Sequence, residues 1–180
     1  MNTEQNLLKQ ARQFNVEALA EIYDSYSPGI FRYAMRFLSD EILAEECVAE
    51  TFHRLLQAFK NRKGPEEHLQ AYIYRIAHNW ITDHFRRTPN QPSILSEYHE
   101  IPVESTEGDT FRKVELEAIQ VALHSLTEDQ RQVIILKYIQ GLSNEEISKI
   151  LRKPIGAVKA LQSRGLEALR RRMHEKEIKE

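Results

Sequence analysis

The sequence contains only one cysteine, Cys47, among its 180 residues. A single cysteine excludes a disulfide framework and a cysteine-based zinc site within one chain. Its acidic and aliphatic neighbours predict a small buried hydrophobic residue. Long apolar runs are also missing, since the longest, Val133–Leu136, is far too short to span a bilayer. The first residues lack the basic start and apolar stretch of a signal peptide, so we expect a cytoplasmic protein.

The features of an enzyme or a metal site are scarce as well. The seven histidines lack a metal-binding spacing, no glycine-rich phosphate loop is present, and no nucleophile stands beside an evident base. We therefore expect no catalytic residue, no metal and no cofactor. With six glycines, six prolines and 29% charged residues, the composition predicts an all-α protein with one or two small domains.

The clearest motif lies between Gly141 and Arg172, where two amphipathic helices are predicted on either side of a turn. Ser143 and Glu146 form a capping box at the start of the first helix, and Pro154 ends that helix. The predicted buried residues of the two helices are Ile147, Ile150, Leu151, Ile155, Val158 and Leu161. Other faces of the second helix carry Lys159, Ser163 and Arg164. This arrangement is typical of a helix-turn-helix whose second helix enters the major groove of DNA.

Positive charge is concentrated in the same segment, although the whole chain has a net charge of −2. The basic residues between positions 152 and 176 are Arg152, Lys153, Lys159, Arg164, Arg170, Arg171, Arg172 and Lys176. Only Glu167 and Glu175 oppose them. The local excess of positive charge favours a phosphate partner. A plain charged helix end is the alternative, because lysine and arginine also suit the negative end of a helix dipole.

Helical periodicity lapses in the middle of the chain, which divides the sequence into two domains. We expect a first domain over residues 1–88, a flexible linker over 89–110 and a second domain over 111–180. The linker is rich in proline, serine and threonine. Its acidic residues are Glu97, Glu100, Glu104, Glu107 and Asp109. They would repel DNA, so the linker is either a tether without a partner or a segment that occupies a basic protein channel.

The second domain is expected to contain about four helices. Helical spacing runs from Val114 to Ser125, and Thr127 opens a second capping box with Gln130. The helix that follows is expected to stop at Gly141, since glycine suits a helix end. The helix-turn-helix comes last, which predicts a small all-helical DNA-binding domain.

The first domain is also predicted to be helical. One apolar face continues from Leu19 to Phe37 across the Pro28–Gly29 pair, where we expect a kink or a tight break. A further helix over residues 42–59 mixes apolar anchors with an acidic exposed side. The acids in and beside it are Glu41, Glu45, Glu46 and Glu50. That side cannot bind DNA, so it is either simply solvated or binds a basic protein.

The sign of the charge reverses after this helix. Lys60, Asn61, Arg62 and Lys63 open a loop, and aromatic and basic residues then interleave over residues 68–87. The residues expected on the buried or half-buried side are Leu69, Tyr72, Ile73, Ile76, Ala77, Trp80, Ile81 and Phe85. Hydrogen-bonding groups elsewhere are Arg75, Asn79, Asp83, Arg86 and Arg87. Such a surface can stack unpaired bases and contact phosphates, although the same aromatics are also typical of a core.

From Leu19 to Met173 the chain resembles the bacterial extracytoplasmic-function sigma factors of the sigma-70 family. In the first domain, LAEECVAETFHRLLQAF is similar to the polymerase-binding helix of region 2, with Ala49 where the family usually has glutamine. The segment AYIYRIAHNWITDHFRR is similar to a second part of region 2, with Tyr72 in place of the usual tryptophan. In the second domain, LTEDQRQVIILKYIQGLSNEEISKIL and GAVKALQSRGLEALR are similar to region 4. Leu161 stands where the commoner form has arginine, so contacts of that arginine are not transferred.

The resemblance implies a sigma factor that binds core RNA polymerase, recognises the −10 and −35 promoter elements and promotes transcription initiation. The implied polymerase-binding residues are Glu46, Glu50, Thr51 and Phe52. The implied contacts with the melted −10 element are Lys60, Asn61, Arg62, Lys63, Arg75, Asn79, Asp83, Arg86 and Arg87. The loop over residues 60–68 is expected to shape a pocket for a flipped base of the non-template strand. The implied contacts with the duplex −35 element are Arg152, Lys153, Lys159, Ser163 and Arg164.

The resemblance also implies an anti-sigma factor as a further partner. Two alternatives come from other classes of protein. A one-component helix-turn-helix regulator binds a specific duplex without polymerase, and its first half carries a ligand pocket or a dimer seam rather than a second cationic, aromatic surface. An all-helical enzyme is the other alternative, and the missing catalytic and metal-binding residues argue against it.

Overall fold

The computed structural model of the chain describes residues 3–87, 121–123 and 125–177. The chain divides into two compact units, an N-terminal unit over residues 1–99 and a C-terminal unit over residues 100–180. Every regular element in the described ranges is helical, which confirms the predicted all-α class. The predicted linker over residues 89–110 lies outside the described residues, as does most of the helix predicted from Val114 to Ser125.

Within residues 3–87, the N-terminal unit contains four helices, which we number α1 (Thr3–Ala11), α2 (Val16–Leu38), α3 (Glu41–Lys60) and α4 (Leu69–Arg87). Local side chains define where α2 and α3 begin. Asn15 accepts a hydrogen bond from the backbone N–H of Ala18 at 2.8 Å, and Asp40 accepts one from Leu43 at 2.9 Å. These caps satisfy N–H groups that have no partner within a helix.

Tyr33 of α2 lies at the centre of the N-terminal unit and is fully buried. Its ring packs edge-on against Tyr74 of α4, with centroids 5.4 Å apart, and also contacts Phe37. Its hydroxyl group is 3.2 Å from Nδ1 of His78, so the buried polar atom has a partner. Burial raises the pKa of the Tyr33 hydroxyl well above its ordinary value. The contacts of Tyr33 with Tyr74 and His78 hold α4 against α2.

Of the kink or tight break predicted at Pro28–Gly29, the break is wrong, because α2 continues as one helix from Val16 to Leu38. A proline inside a helix removes one hydrogen bond and costs about 3 kcal/mol. Both halves of α2 bury apolar side chains, however, with Ile22 on one side of Pro28 and Ile30 on the other. Burial of this continuous face offsets the local cost.

The C-terminal unit contains α5 (Glu128–Ile134), a π-helical turn (Ile135–Ile139), α6 (Asn144–Leu151) and α7 (Ile155–Glu177). Both predicted capping boxes are present, one between Thr127 and Gln130 and one between Ser143 and Glu146. The predicted stop at Gly141 is also confirmed, since this glycine has a φ of 70°. The π-helical turn was not predicted.

Helix α7 packs against both α5 and α6. Val158 is its first buried residue, and Gly165 lies directly against Ile134. A Cβ atom at Gly165 would be only 3.0 Å from Cγ1 of Ile134, so the helices approach closely where no side chain intervenes. The prediction that Ile155 is buried is wrong, because it is the first residue of α7 and is 39% exposed.

Candidate nucleic-acid interface

The turn between α6 and α7 is held by Ser148, one of the last residues of α6. Its carbonyl oxygen accepts a hydrogen bond from the backbone N–H of Lys153 at 3.1 Å, while its hydroxyl group donates to the carbonyl oxygen of the same lysine. Arg152 adopts a left-handed conformation with a φ of 53°, which ends α6 and exposes its side chain. The turn therefore presents α7 at a defined angle to α6, as a helix-turn-helix requires.

The exposed face of α7 carries the three side chains predicted to contact DNA. Lys159, Ser163 and Arg164 are all exposed, as predicted. Gln162 lies beside them and donates a hydrogen bond to the hydroxyl oxygen of Tyr138 at 2.6 Å. The contact joins α7 to the π-helical turn, and sequence reasoning missed it because the two residues are distant in the chain.

Lys153 differs from the other predicted DNA contacts of this unit. Its Nζ lies 2.9 Å from Oδ2 of Asp129 in a half-exposed ion pair. The pair ties the turn of the helix-turn-helix to the start of α5. The neighbouring Arg152 is exposed and has no ion pair with a carboxylate of the described residues, so it is the better placed of the two for a phosphate.

The surface of α4 combines ring systems with basic groups. The rings of Trp80 and His84 are stacked, with centroids 5.5 Å apart and planes 19° from parallel. The guanidinium group of Arg75 lies over the ring of Tyr72 at 4.9 Å. Tyr72, Trp80 and Phe85 are half-buried, so each ring is partly accessible. These rings are therefore neither simple core residues nor a fully open stacking platform.

The predicted −10 contacts on α4 fall into two groups. Arg86 and Arg87, in its last turn, are exposed, whereas Arg75, Asn79 and Asp83 are half-buried. Nη2 of Arg86 lies 3.0 Å from Oδ1 of Asp83, three residues earlier. Asp83 therefore orients Arg86 from within the helix.

Lys60, the last residue of α3, and Asn61, Arg62 and Lys63, at the start of the loop that precedes α4, are all exposed. Arg62 has a positive φ of 56°, which marks the tight turn that follows α3. Further along, Pro65 is buried and Gly64 lies against the ring of Phe59. The loop thus packs its middle on the core while its cationic residues face solvent.

The exposed face of α3 is acidic, as predicted. Glu41, Glu45 and Glu46 are exposed, while Glu50 is half-buried and accepts a hydrogen bond from Nε of Arg54 at 2.7 Å. The same helix exposes two large apolar side chains, Ile42 at 77% and Leu56 at 39%. They lie about four turns apart on one side of the helix.

Two of the predicted polymerase contacts have little surface. Thr51 is 0% exposed and Phe52 is 8% exposed, and the Phe52 ring packs against Tyr23 with centroids 4.8 Å apart. Both residues support α3 from the core, so we withdraw them as direct contacts. Tyr23, which sequence reasoning did not select, is instead 48% exposed at the edge of this face.

Residues 3–87, 121–123 and 125–177 contain no group of three or more histidine, cysteine, aspartate or glutamate side chains arranged to hold a metal ion. Among the described helices, none is long and apolar enough to cross a membrane.

Comparison with known proteins defines the class to which the chain belongs. Residues 22–90 match the family model of Sigma-70 region 2, and residues 116–169 match that of Sigma-70, region 4. The chain is 32% identical to the ECF RNA polymerase sigma factor SigW of Bacillus subtilis, over 93% of this chain and 95% of SigW. It is 27% identical to the ECF RNA polymerase sigma factor BldN of Streptomyces coelicolor, over 92% of this chain and 64% of BldN.

Solved structures share the fold. The structure of CnrH in complex with the cytosolic domain of CnrY matches with a TM-score of 0.73 and 21% identity, over 97% of this chain and 99% of that chain. The sigma factor RpoE from Bartonella quintana, in complex with the anti-sigma factor NepR, matches with a TM-score of 0.69 and 23% identity, over 87% of this chain and 96% of that chain.

The chain belongs to the sigma-70 family and, within it, to the extracytoplasmic-function RNA polymerase sigma factors. Members of this family are transcription initiation factors. Membership of this family argues against the alternative of a one-component regulator, which the helix-turn-helix alone did not exclude.

Proposed function

We propose that this chain binds core RNA polymerase through the acidic face of α3 and recognises promoters through two separate DNA-contacting surfaces. The observation that carries the proposal is the presence, in one chain, of an exposed basic helix-turn-helix and a second cationic, aromatic surface on α4 and its preceding loop. A regulator that binds one duplex operator has no need of the second surface. The reaction itself needs no catalytic group, so we propose no enzymatic activity and no cofactor.

Binding to polymerase is proposed to depend on Glu46 and Glu50. Glu46 is exposed, and Glu50 is held at the surface by Arg54. Carboxylates on one helix face steer a basic partner and set its orientation more than they raise affinity. The apolar residues Ile42 and Leu56 on the same helix add contact area that acids alone do not supply.

Recognition of the melted −10 element is proposed to use the loop over residues 60–68 and the end of α4. A flipped base needs a pocket and a stacking or hydrogen-bonding partner, and an unpaired strand needs cations along its backbone. Arg86 and Arg87 supply exposed charge, and Asn79 supplies an amide group on the same helix. Trapping unpaired bases in this way favours the open promoter over the closed duplex.

Recognition of the duplex −35 element is proposed to use α7. Lys159, Ser163 and Arg164 are available to base edges in the major groove, while Arg152 contacts the DNA backbone. Lys153 contacts the DNA backbone only when its ion pair with Asp129 opens. We therefore rank Arg152 above Lys153 as a phosphate contact.

An anti-sigma factor is a further proposed partner, and the cytoplasm, where polymerase acts, is the proposed location. The exposed apolar side chains at the edge of the acidic face, Tyr23, Ile42 and Leu56, support a protein partner. A regulator that covers this face would compete directly with polymerase.

The proposal is tested by measuring promoter binding with and without polymerase. Each unit alone makes weak contacts, and core polymerase raises the effective concentration of each element for its unit. We expect the free chain to bind a promoter duplex weakly and the holoenzyme to bind it tightly. Equal and specific binding by the free chain would instead support a regulator that acts without polymerase.

A further inference from the structure

Helix α1 contacts the end of the loop that joins α3 to α4. Nη1 of Arg12 donates to Oε1 of Glu66 at 3.1 Å, and Nε2 of Gln5 donates to Oε1 of Glu67 at 3.3 Å. Both contacts are exposed, so each contributes little to stability by itself. They nevertheless align α1 with the last residues of the loop.

A third contact is partly buried and joins α1 to the first turn of α4. The backbone N–H of Leu69, the first residue of α4, donates to Oε1 of Glu4 at 2.8 Å. An N–H group at this position has no acceptor within its own helix, and a carboxylate there also interacts favourably with the helix dipole. Leu8 and Ala11 are buried and anchor α1, so Glu4 is held at a fixed position.

The middle and the end of the loop are held by different contacts, and the end depends on the contact with Glu4. The packing of Gly64 against Phe59 and the burial of Pro65 fix the middle of the loop from the side of α3. At the other end, His68 has a φ of 58° and leads directly into α4. The carboxylate of Glu4 therefore caps α4 from outside, across more than sixty residues of sequence.

We propose that α1 positions the loop over residues 60–68 for recognition of the −10 element, with Glu4 as the positioning residue. This inference rests on the function proposed above, in which the loop forms the pocket for a flipped base. Without the Glu4 carboxylate, the first turn of α4 frays and the end of the loop adopts several conformations. A pocket with several shapes discriminates less between bases, even when its basic residues still contact phosphate.

The first test follows amide hydrogen exchange at Leu69 in the free, full-length chain. Glu4→Ala is expected to raise the exchange rate of this amide about fivefold, as loss of a helix cap does. Glu21→Ala removes an exposed carboxylate from α2 and is the matched control, expected to leave that rate unchanged. An unchanged exchange rate in the Glu4→Ala chain would show that Glu4 does not hold α4 and would overturn the proposal.

The second test measures promoter opening by holoenzyme on two templates, the cognate promoter and one substituted at the flipped base. For Glu4→Ala we expect the ratio of the two opening rates to fall about fivefold or more, with core affinity unchanged. Glu4→Gln keeps an acceptor oxygen and is expected to retain much of that ratio. A purely stabilising role would slow opening on both templates equally, and an unchanged ratio would overturn the proposal.

The two tests separate this inference from the function on which it rests. If wild-type holoenzyme opened no promoter, the proposed function would fail, and hydrogen exchange would still decide whether Glu4 holds α4. If wild-type holoenzyme opened the promoter and Glu4→Ala changed neither measurement, only the positioning role would fail.

Discussion

Cys47 lies in the core of the N-terminal unit, where its Sγ is 4.0 Å from the carbonyl oxygen of Ala77. Burial raises the pKa of its thiol from 9.0 to about 12. Alkylation requires the thiolate, so the native thiol is protected both by lack of access and by lack of charge. This confirms the prediction, made from its neighbours, that Cys47 is a small buried residue.

We expect alkylation of native Cys47 at pH 8.5 to be at least about a hundredfold slower than in the urea-unfolded chain, since the thiol of the unfolded chain has its ordinary pKa of 9.0. The raised pKa favours the neutral thiol in the folded state, so its contribution to stability is fully present below pH 9 and is lost as the pH rises through about 12. Mass spectrometry after timed exposure to iodoacetamide measures the rate. Similar rates in both states would contradict this burial.

Gly64 packs so closely against Phe59 that no other residue fits there without movement. A Cβ atom would lie 2.8 Å from Cε1 of the Phe59 ring and closer still to Cδ1, and the ring is itself buried. We expect Gly64→Ala to lower the free energy of unfolding of the N-terminal unit by about 1–3 kcal/mol, as overpacking does. Urea unfolding of the variant measures this loss.

The matched control for that substitution is Gly156→Ala in the first turn of α7. A Cβ atom there meets nothing within 4 Å, so the change adds helix propensity without a clash. We expect it to leave stability unchanged or to raise it by a few tenths to about 1 kcal/mol. Equal losses from the two substitutions would show that the contact with Phe59 is not the cause.

Helices α3 and α4 present surfaces of opposite charge, and we assign them different partners. Glu46→Lys combined with Glu50→Lys is expected to abolish binding to core polymerase, because the new lysines repel a basic partner and the one at position 50 also lies beside Arg54. Arg86→Ala combined with Arg87→Ala is expected to leave polymerase binding intact and to slow promoter opening about tenfold or more. Core binding is measured by titration with a labelled chain, and opening by permanganate footprinting.

A control for net charge accompanies these variants. Glu17→Lys combined with Glu21→Lys makes the same change in charge on exposed positions of α2. We expect this chain to retain polymerase binding. If the α3 and α4 variants lost polymerase binding equally, the proposal that α3 binds polymerase and α4 binds promoter DNA would be wrong.

Local sequence rules located most of the helices but missed the features that depend on distant residues. The capping boxes at Thr127 and Ser143 were predicted because each cap bonds to a residue three positions away. The continuity of α2 through Pro28 was not, since it depends on burial against other helices. The role of α1 was missed for the same reason, because Glu4 meets Leu69 only in the folded chain.

In the candidate site, too, local sequence rules missed the features that depend on how distant residues pack. Sequence reasoning selected the exposed residues of α7 and the basic loop before α4, because charge and helical period mark a surface directly. It did not distinguish the exposed Glu46 from the buried Thr51, because it transferred both from one family motif. It also missed Tyr23, whose exposure depends on how α2 packs against α3.

The chain as a whole combines two compact units, each with its own proposed DNA-contacting surface. Weak contacts at two elements give a tight and specific complex only when the spacing between the units is fixed. We propose that core polymerase fixes that spacing. Promoters for this chain should therefore share two sequence elements at a constant separation.

The most direct test is transcription by bacterial core polymerase on fragmented genomic DNA from the source organism, with and without the chain, followed by sequencing of transcript starts. We predict new starts that depend on the chain and share two upstream elements at a fixed spacing. An absence of new starts, with the same core active on a control sigma factor, would contradict promoter recognition by this chain.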